Sequence, residues 1–375
     1  MWCLFVALVA VPPGNAAEDM EGLETVLADI RERFPTDLAS DAVYRAALEG
    51  VAAHLGEIMG IDDNRVLTTE EQNAQDAWMR GQRIGIGAEF SILTGRGLVI
   101  TEVFEKGPAQ QAGLQAGDLV VSMDDHPLTG LGRMAIHART RRLTSAQTVF
   151  DVRRNDTAIH RLSVERGTYM LPAVRMGSEN SKATVARVPF FGVGTAKALA
   201  QFLTEEVETD AVVLDLRDNS GGCLEEAVEA ADLFLDQGSI VVQKGKDRAA
   251  MVPVTATSSP HWLRNVVVLV NQGTRGVAEA FAAALQENGR AVVVGTRTGG
   301  RAVDTSVYPV GRGFVLQVAD IHLAAPSGKS WALQGLVPNV VVESNGLTVP
   351  SGRRTIPPDL QRETAIRLIS TGSSR

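Results

Sequence analysis

The sequence predicts a multidomain α/β protein: a helical N-terminal arm, a small strand-rich module and a larger core of alternating strands and helices. Three observations carry this. A chain of 375 residues is longer than one ordinary hydrophobic core supports. Between residues 84 and 166, short apolar runs are punctuated by glycine, the pattern of strands joined by tight turns. After residue 167, the continuous apolar runs Ala211–Leu216, Val266–Val270 and Ala291–Val294 alternate with helical periodicity, as strands buried on both faces do. Hydrophobic residues make up 45% and charged residues 21%, which excludes a disordered chain.

The elements follow in order. Met1 to Ala17 carries no charge, its apolar run Trp2–Val11 is too short to span a bilayer, and Pro12-Pro13-Gly14 breaks it. Small residues follow, so 1–17 reads as a secretory signal and places the mature chain in the periplasm or outside the cell. Residues 18–83 read as the helical arm. Leu23, Val26, Leu27 and Ile30 recur at helical spacing, as do Val43, Ala46, Leu48, Val51, Leu55 and Ile58. Thr68-Thr69-Glu70-Glu71 is a helix start with acidic residues in its first turn. In the module, Gly85-Ile86-Gly87-Ala88-Glu89-Phe90 opens a strand, Gly97–Val103 and Leu119–Met123 are strands, and a helix runs near Gly132–Leu143. Strands at Thr148–Arg153 and Ala158–Val164 complete it. In the core, helices at Val193–Leu203, Leu224–Leu235 and Val277–Leu285 separate strands at Thr184–Val188, Ala211–Leu216, Val266–Val270 and Ala291–Val294. Residues 351–375 form a closing helix, started at Pro357-Pro358-Asp359, and a tail, Ser370–Arg375.

Residues 84–166, with Gly85–Phe90 and the run Gly107-Pro108-Ala109-Gln110-Gln111-Ala112-Gly113-Leu114-Gln115-Ala116-Gly117-Asp118, resemble a PDZ domain. In the core, Leu216-Arg217-Asp218-Asn219-Ser220-Gly221-Gly222, Asn271–Glu279, Pro326–Ser330 and Gln334–Pro338 resemble signatures of the carboxyl-terminal processing, or tail-specific, serine peptidases. The resemblance covers nearly all of the chain after the leader. It implies a ClpP/crotonase-like α/β peptidase core over 167–350. It also implies acyl transfer by a Ser–Lys dyad, with backbone amides holding the oxyanion. It implies that Gly85, Ile86, Gly87, Ala88, Glu89 and Phe90 hold a peptide's C-terminal carboxylate while the peptide adds as a strand.

At the catalytic positions the sequence departs from that family. Asn271, Gly273 and Glu279 anchor the turn, so the serine position falls on Gly276. Without a gap, the lysine position falls on Arg301, and a glutamine frequent in the family is Thr305. Glycine has no nucleophile, and guanidinium, with a pKa above about 12, is no general base near neutrality. Gly221 and Gly222 keep the glycine pair of the oxyanion framework. Of the remaining groups, Thr274 reads as a helix cap, Cys223 as a buried inert thiol, and Lys329 as a loop residue.

Three readings compete. One is a non-catalytic homologue that binds peptide or protein C-termini and recruits or regulates an active envelope protease. Another is an active peptidase with a rearranged site. The last is a carrier of a small apolar ligand, which the wider family includes. Net charge −8 argues against nucleic acid as a partner. Only Cys3 and Cys223 are present and the six histidines show no ligand spacing, so neither a metal nor another cofactor is expected. Beyond the leader, no stretch is long and apolar enough for a membrane helix.

Overall fold

The structure, a computed structural model, describes residues 39–61, 63–140, 146–155, 158–179, 183–205, 207–244, 252–257, 260–343 and 359–371, with residues 25, 28–30, 32 and 33. The leader at 1–17, most of the Glu21–Phe34 pattern, Arg141–Leu143, Pro357, Pro358 and most of the final tail lie outside the described residues. The chain divides into two compact units. The first holds the arm up to Gln75 and Val303–His322; the second holds Asp76–Gln243, Met251–Ala302 and Leu323 onward.

In the first unit, helix α1 (Ser40–Met59) ends at Gly60, whose φ of 66° suits a residue without Cβ. A strand, β1 (Arg65–Thr68), then interrupts the expected run of helices. Four residues are too few to show alternation, and β1 exists because it pairs antiparallel with β18 (Phe314–Ala324), Val66 opposite Leu316. Ala52, Val66 and Leu316 are buried together, with Leu48, Tyr308 and Phe314 packed around them. β17 (Val303–Gly311) forms a hairpin with β18. Helix α2 (Thr69–Met79) starts where the sequence places it. The Thr68 hydroxyl accepts the Glu71 N–H at 3.1 Å and the Glu71 carboxylate accepts the Thr68 N–H at 2.7 Å, a capping box that satisfies two otherwise orphaned donors.

In the second unit, β2 (Gln82–Gly85) and β9 (Gly167–Met170) pair antiparallel as a two-stranded stalk. Between them lies a sheet ordered β3 (Ala88–Leu93), β4 (Gly97–Val103), β5 (Leu119–Met123), β7 (Gln147–Arg154), β8 (Ala158–Glu165), with β6 (His126–Pro127) on β5. Leu98, Ile100, Val120, Phe150, Val152 and Val164 bury its inner face. Helix α3 (Pro108–Gln111) follows the Gly107-Pro108 turn, and α4 (Arg133–Thr140) packs beside β3, which is an edge strand of the sheet.

The core sheet runs β10 (Arg175–Glu179), β11 (Thr184–Arg187), β12 (Ala211–Asp215), β15 (Asn265–Val270), β16 (Val292–Gly295), β19 (Val340–Val341). From β11 onward every pairing is parallel. Helices α5 (Thr195–Glu205), α6 (Leu224–Asp232) and α7 (Val277–Glu287) make the crossovers and pack in sequence, α5 on α6 and α6 on α7. A hairpin of β13 (Ser239–Lys244) and β14 (Val252–Thr255) lies between α6 and β15. Helix α8 (Leu360–Ser370) buries Ala365 and Ile369 against Val213, Val267, Leu269 and Val294 on one face of the sheet. Alternation sends Val212, Leu214, Val266 and Val268 to the opposite face, which explains the unbroken apolar runs. Among the described residues, no helix is long and apolar enough to cross a membrane.

Candidate functional site

The carboxyl ends of β12, β15 and β16 open into three loops on one edge of the parallel sheet, where α/β folds place their ligand sites. Hydrogen bonds knit the three loops together. The buried Thr274 hydroxyl donates to the Leu216 carbonyl at 2.8 Å and accepts the Asn271 N–H at 3.0 Å. Asn271 Oδ1 accepts the Asp218 and Gly273 N–H groups, each at 2.9 Å. The Arg275 N–H donates to the Asn219 carbonyl, and the Gly299 N–H to the Thr274 carbonyl, both at 2.9 Å. Thr274 is therefore a fastener of the turn rather than the expected helix cap, because the cap position of α7 falls two residues later, on Gly276. Its hydroxyl is occupied in both roles. Arg217 anchors the first loop from behind through Asp215 at 2.6 Å and Asp359 at 2.8 Å.

Gly276 has φ 63° and ψ −129° at the sharp passage from the β15 loop into α7. A side chain there would be strained, which is the condition of a nucleophile on a strand-to-helix elbow. It would also have room: the nearest atoms to an added Cβ, Gly221 Cα and the Ser220 carbonyl oxygen, are 3.8 Å away. Gly221 itself needs its missing Cβ, which would approach the Arg275 carbonyl to 3.2 Å; its φ is 108°. A Cβ on Gly222 would collide with the Phe191 carbonyl at 2.1 Å. Gly221 thus lies against the backbone at 275–277, and Gly222 against that of Phe191. Asn219 holds it, accepting the Gly221 N–H at 2.9 Å while donating to the Val188 carbonyl at 2.9 Å.

Arg301 is tied to the same point by Glu279, whose side chain is fully buried. Glu279 Oε2 accepts the Gly276 N–H at 3.0 Å and the Arg301 N–H at 2.8 Å. Oε1 accepts the Gly300 N–H at 2.8 Å and the Thr298 hydroxyl. One carboxylate thus ties together Gly276 and Arg301, the two positions on which the sequence resemblance places the dyad. Burial pushes the Glu279 carboxyl above its ordinary pKa, against the opposing effect of its four donors. The sequence marks Glu279 as an anchor of the turn, but its bridge to Arg301 spans too many residues to be read there. Thr305 lies on β17 in the first unit, where its hydroxyl accepts from Gln317 at 3.0 Å. Lys329 is exposed, and its carbonyl closes a turn with the Ala325 N–H at 3.0 Å.

Cys223 is half-exposed, not buried as expected, because it precedes α6 at the helix cap rather than entering it. Its thiol donates to the Glu225 carboxylate at 2.9 Å.

In the module, Gly85 ends β2 opposite Gly167. Ile86 is buried and its carbonyl accepts the Ala109 N–H at 2.7 Å; the Gly87 carbonyl accepts the Phe104 N–H at 2.9 Å. Gly87, at φ 72°, sits so close to Gly107-Pro108 that an added Cβ would approach Pro108 Cδ to 3.1 Å. Ala88, Glu89 and Phe90 open β3, with a bulge between Glu89 and Phe90. The Glu89 carboxylate faces the core: Arg175 reaches it at 3.0 Å and Arg187 at 3.4 Å, and Arg175 also pairs with Glu102 at 2.6 Å. That ion network joins residues up to 98 positions apart and has no signature in the sequence. At the base of the stalk a cavity of about 510 Å³ is lined by Tyr169, Leu171, Pro172, Phe190 and Val193, with Arg80, Glu105 and Lys106 around them.

Comparison with known proteins agrees with this architecture. Residues 182–342 match the model of peptidase family S41, and residues 58–149 that of the PDZ domain. A CtpA-like serine protease of Staphylococcus saprophyticus is 25% identical over 330 residues, 87% of this chain and 66% of that protein. A counterpart in Staphylococcus aureus is 24% identical over the same share of this chain and 65% of its own length. The chain therefore spans just under two thirds of the relatives it matches. The photosystem II D1 C-terminal processing protease shares the fold, with TM-score 0.53 at 21% identity over 92% of this chain and 90% of that one. An S41 protease structure from Bacteroides fragilis gives TM-score 0.60 at 18% identity over 92% and 96%. The chain thus carries a PDZ domain ahead of a peptidase family S41 core and is similar to CtpA-like serine proteases.

Proposed function

We propose that this chain is a non-catalytic member of the family that binds polypeptide C-termini. The observation that carries the reading is Gly276. It sits at the strained elbow with space for a side chain, beside Gly221, and it has no hydroxyl. The matching Arg301 supplies a permanent cation where the family's mechanism needs a base. The framework is retained without the chemistry. What stays suited to a ligand is the PDZ module, where β3 is an edge strand with α4 beside it and a glycine loop at its start. A peptide adding to β3 directs its free carboxylate to the loop at Gly85–Ala88. The cell envelope or the exterior is the proposed location, following the leader-like residues 1–17, and an active envelope protease is a proposed partner.

The cavity at the stalk supports a second reading, a small apolar ligand, because Leu171, Pro172, Phe190 and Val193 give it apolar walls. The test of the first reading is calorimetry with a panel of apolar-ended peptides, each as free acid and as C-terminal amide. Free acids are expected to bind with modest affinity and amides more weakly, since ordering a flexible tail offsets much of the contact energy. Equal binding of both forms, or none, leaves the PDZ module as a spacer.

A further inference from the structure

Leu333 breaks two rules at once. The residue is 87% exposed, and its φ is 61°, in the left-handed region. An exposed leucine alone is ordinary, but for a bulky residue the left-handed conformation is unfavourable and persists only where neighbours impose it. The other described non-glycine residues with positive φ are Lys106, Asp124, Asp125, Asn155, Asp218 and Arg312, so Leu333 alone among them is apolar. Asparagine or glycine would take this backbone at less cost.

The neighbours that impose it are those of the vacated turn. The Leu333 N–H donates to the Gly300 carbonyl at 2.8 Å, and the Gly335 N–H to the Trp331 carbonyl at 2.8 Å. The Leu336 N–H donates to Thr298 Oγ1 at 2.6 Å. A Cβ on Gly300 would meet the Leu333 carbonyl carbon at 3.0 Å, so the 331–335 turn lies directly on Gly300. The peptide unit joining Gly300 to Arg301 gives its carbonyl to Leu333 and its N–H to Glu279 Oε2, the oxygen that also holds the Gly276 N–H. One peptide unit and one carboxylate oxygen therefore link Leu333 to the empty nucleophile position. On the same rim the Arg275 side chain covers Gly299, its Cγ 2.5 Å from where a Cβ would stand.

We infer that Leu333 is a specificity-determining contact: an apolar finger on the rim of the vacated site that meets an apolar side chain of a polypeptide passing Gly276. This rests on the reading of the chain as a polypeptide binder and deepens it, assigning the core a part in recognition in addition to the PDZ loop. A chain that is held but not cut needs a grip beside the turn, and Leu333 presents one at a cost in backbone strain that folding alone does not require.

The test is fluorescence anisotropy with two labelled peptides sharing one free C-terminus. One has five residues, for the PDZ loop alone. The other has twenty, with valine at alternate positions, long enough when extended, at about 66 Å, to continue beyond the module. Leu333→Asn keeps the left-handed backbone and removes the apolar surface. It is expected to weaken the long peptide about tenfold, the loss of much of one buried aliphatic side chain. The five-residue peptide and the melting temperature stay unchanged, and Leu333→Met restores the long peptide's affinity. Equal binding of the long peptide by wild type and Leu333→Asn overturns the inference, as does equal weakening of a version with serine in place of valine. If the five-residue peptide fails to bind wild type while the long one binds and depends on Leu333, the PDZ reading falls and this inference stands. If neither binds wild type, both fall.

Discussion

The PDZ module and the Gly276 turn are each built around a buried carboxylate, and they satisfy it differently. Asp118 in the module meets a cation: Arg154 grips it at 2.7 and 2.8 Å, and the Gln115 N–H adds a bond at 3.0 Å. Burial pushes the Asp118 carboxyl up, but the Arg154 bonds, the Gln115 amide and the Arg154 charge outweigh it, and its pKa lies below the ordinary value. Glu279 in the core meets only neutral donors, and burial keeps its pKa above the ordinary value. The first arrangement stabilises a charge; the second fixes main-chain geometry. At the turn, the carboxylate holds the Gly276, Gly300 and Arg301 amides in place rather than a partner charge.

Removing each carboxylate should give the largest effects and the sharpest contrast. Glu279→Ala leaves the Gly276, Gly300 and Arg301 amides and the Thr298 hydroxyl without their acceptor inside the core. It is expected to cost about 3–5 kcal/mol in urea unfolding. Asp118→Ala leaves Arg154, which is partly exposed and reaches water, and should cost about 2–3 kcal/mol. The reverse order would break the comparison.

The pH dependences have opposite signs. Asp118, with its folded pKa lowered, adds stability above its unfolded value, and this is lost as pH falls through the folded pKa. Glu279, with its folded pKa raised, holds its proton more tightly in the fold. Its contribution is full in acid and is lost as pH rises from the unfolded carboxylate range, about 4.3, through the raised value. Urea midpoints across this range should show Asp118→Asn flattening the acid limb and Glu279→Gln flattening the limb above it. A Glu279→Gln variant with the wild-type slope would contradict the neutral-donor account.

Smaller effects follow at the turn itself. Gly276→Ser places a side chain at φ 63° and should cost about 1–2 kcal/mol through strain, since space is available. Alone it should show no hydrolysis, for want of a base; with Arg301→Lys added, weak turnover is expected. Equal activity of the single variant would show that the base lies elsewhere. The smallest expected effect is that of Gly276→Ala on a short C-terminal peptide, whose Kd should not change.

How much of this the sequence discloses depends on the range of the interaction. Val266–Val270 reads as a buried strand because every residue is apolar, and Gly276 is legible because Asn271, Gly273 and Glu279 frame it. The β17–β18 hairpin does not read, since its apolar residues alternate with Asp304, Ser306, Gln317 and Asp320 and its partner β1 is over 240 residues away. Glu279 bridges Gly276 and Arg301 through backbone donors, which leave no trace in side-chain identity. The Arg175–Glu89 pair and the left-handed Leu333 are likewise products of tertiary placement.

The central claim is that a peptidase framework persists here without peptidase chemistry, and hydrolysis of a labelled unfolded protein by the purified wild-type chain tests it most directly. The account predicts no turnover, measured beside the Gly276→Ser/Arg301→Lys variant as a reference. Turnover that persists through purification and disappears in Cys223→Ala or Thr274→Ala would contradict it and identify a rearranged site.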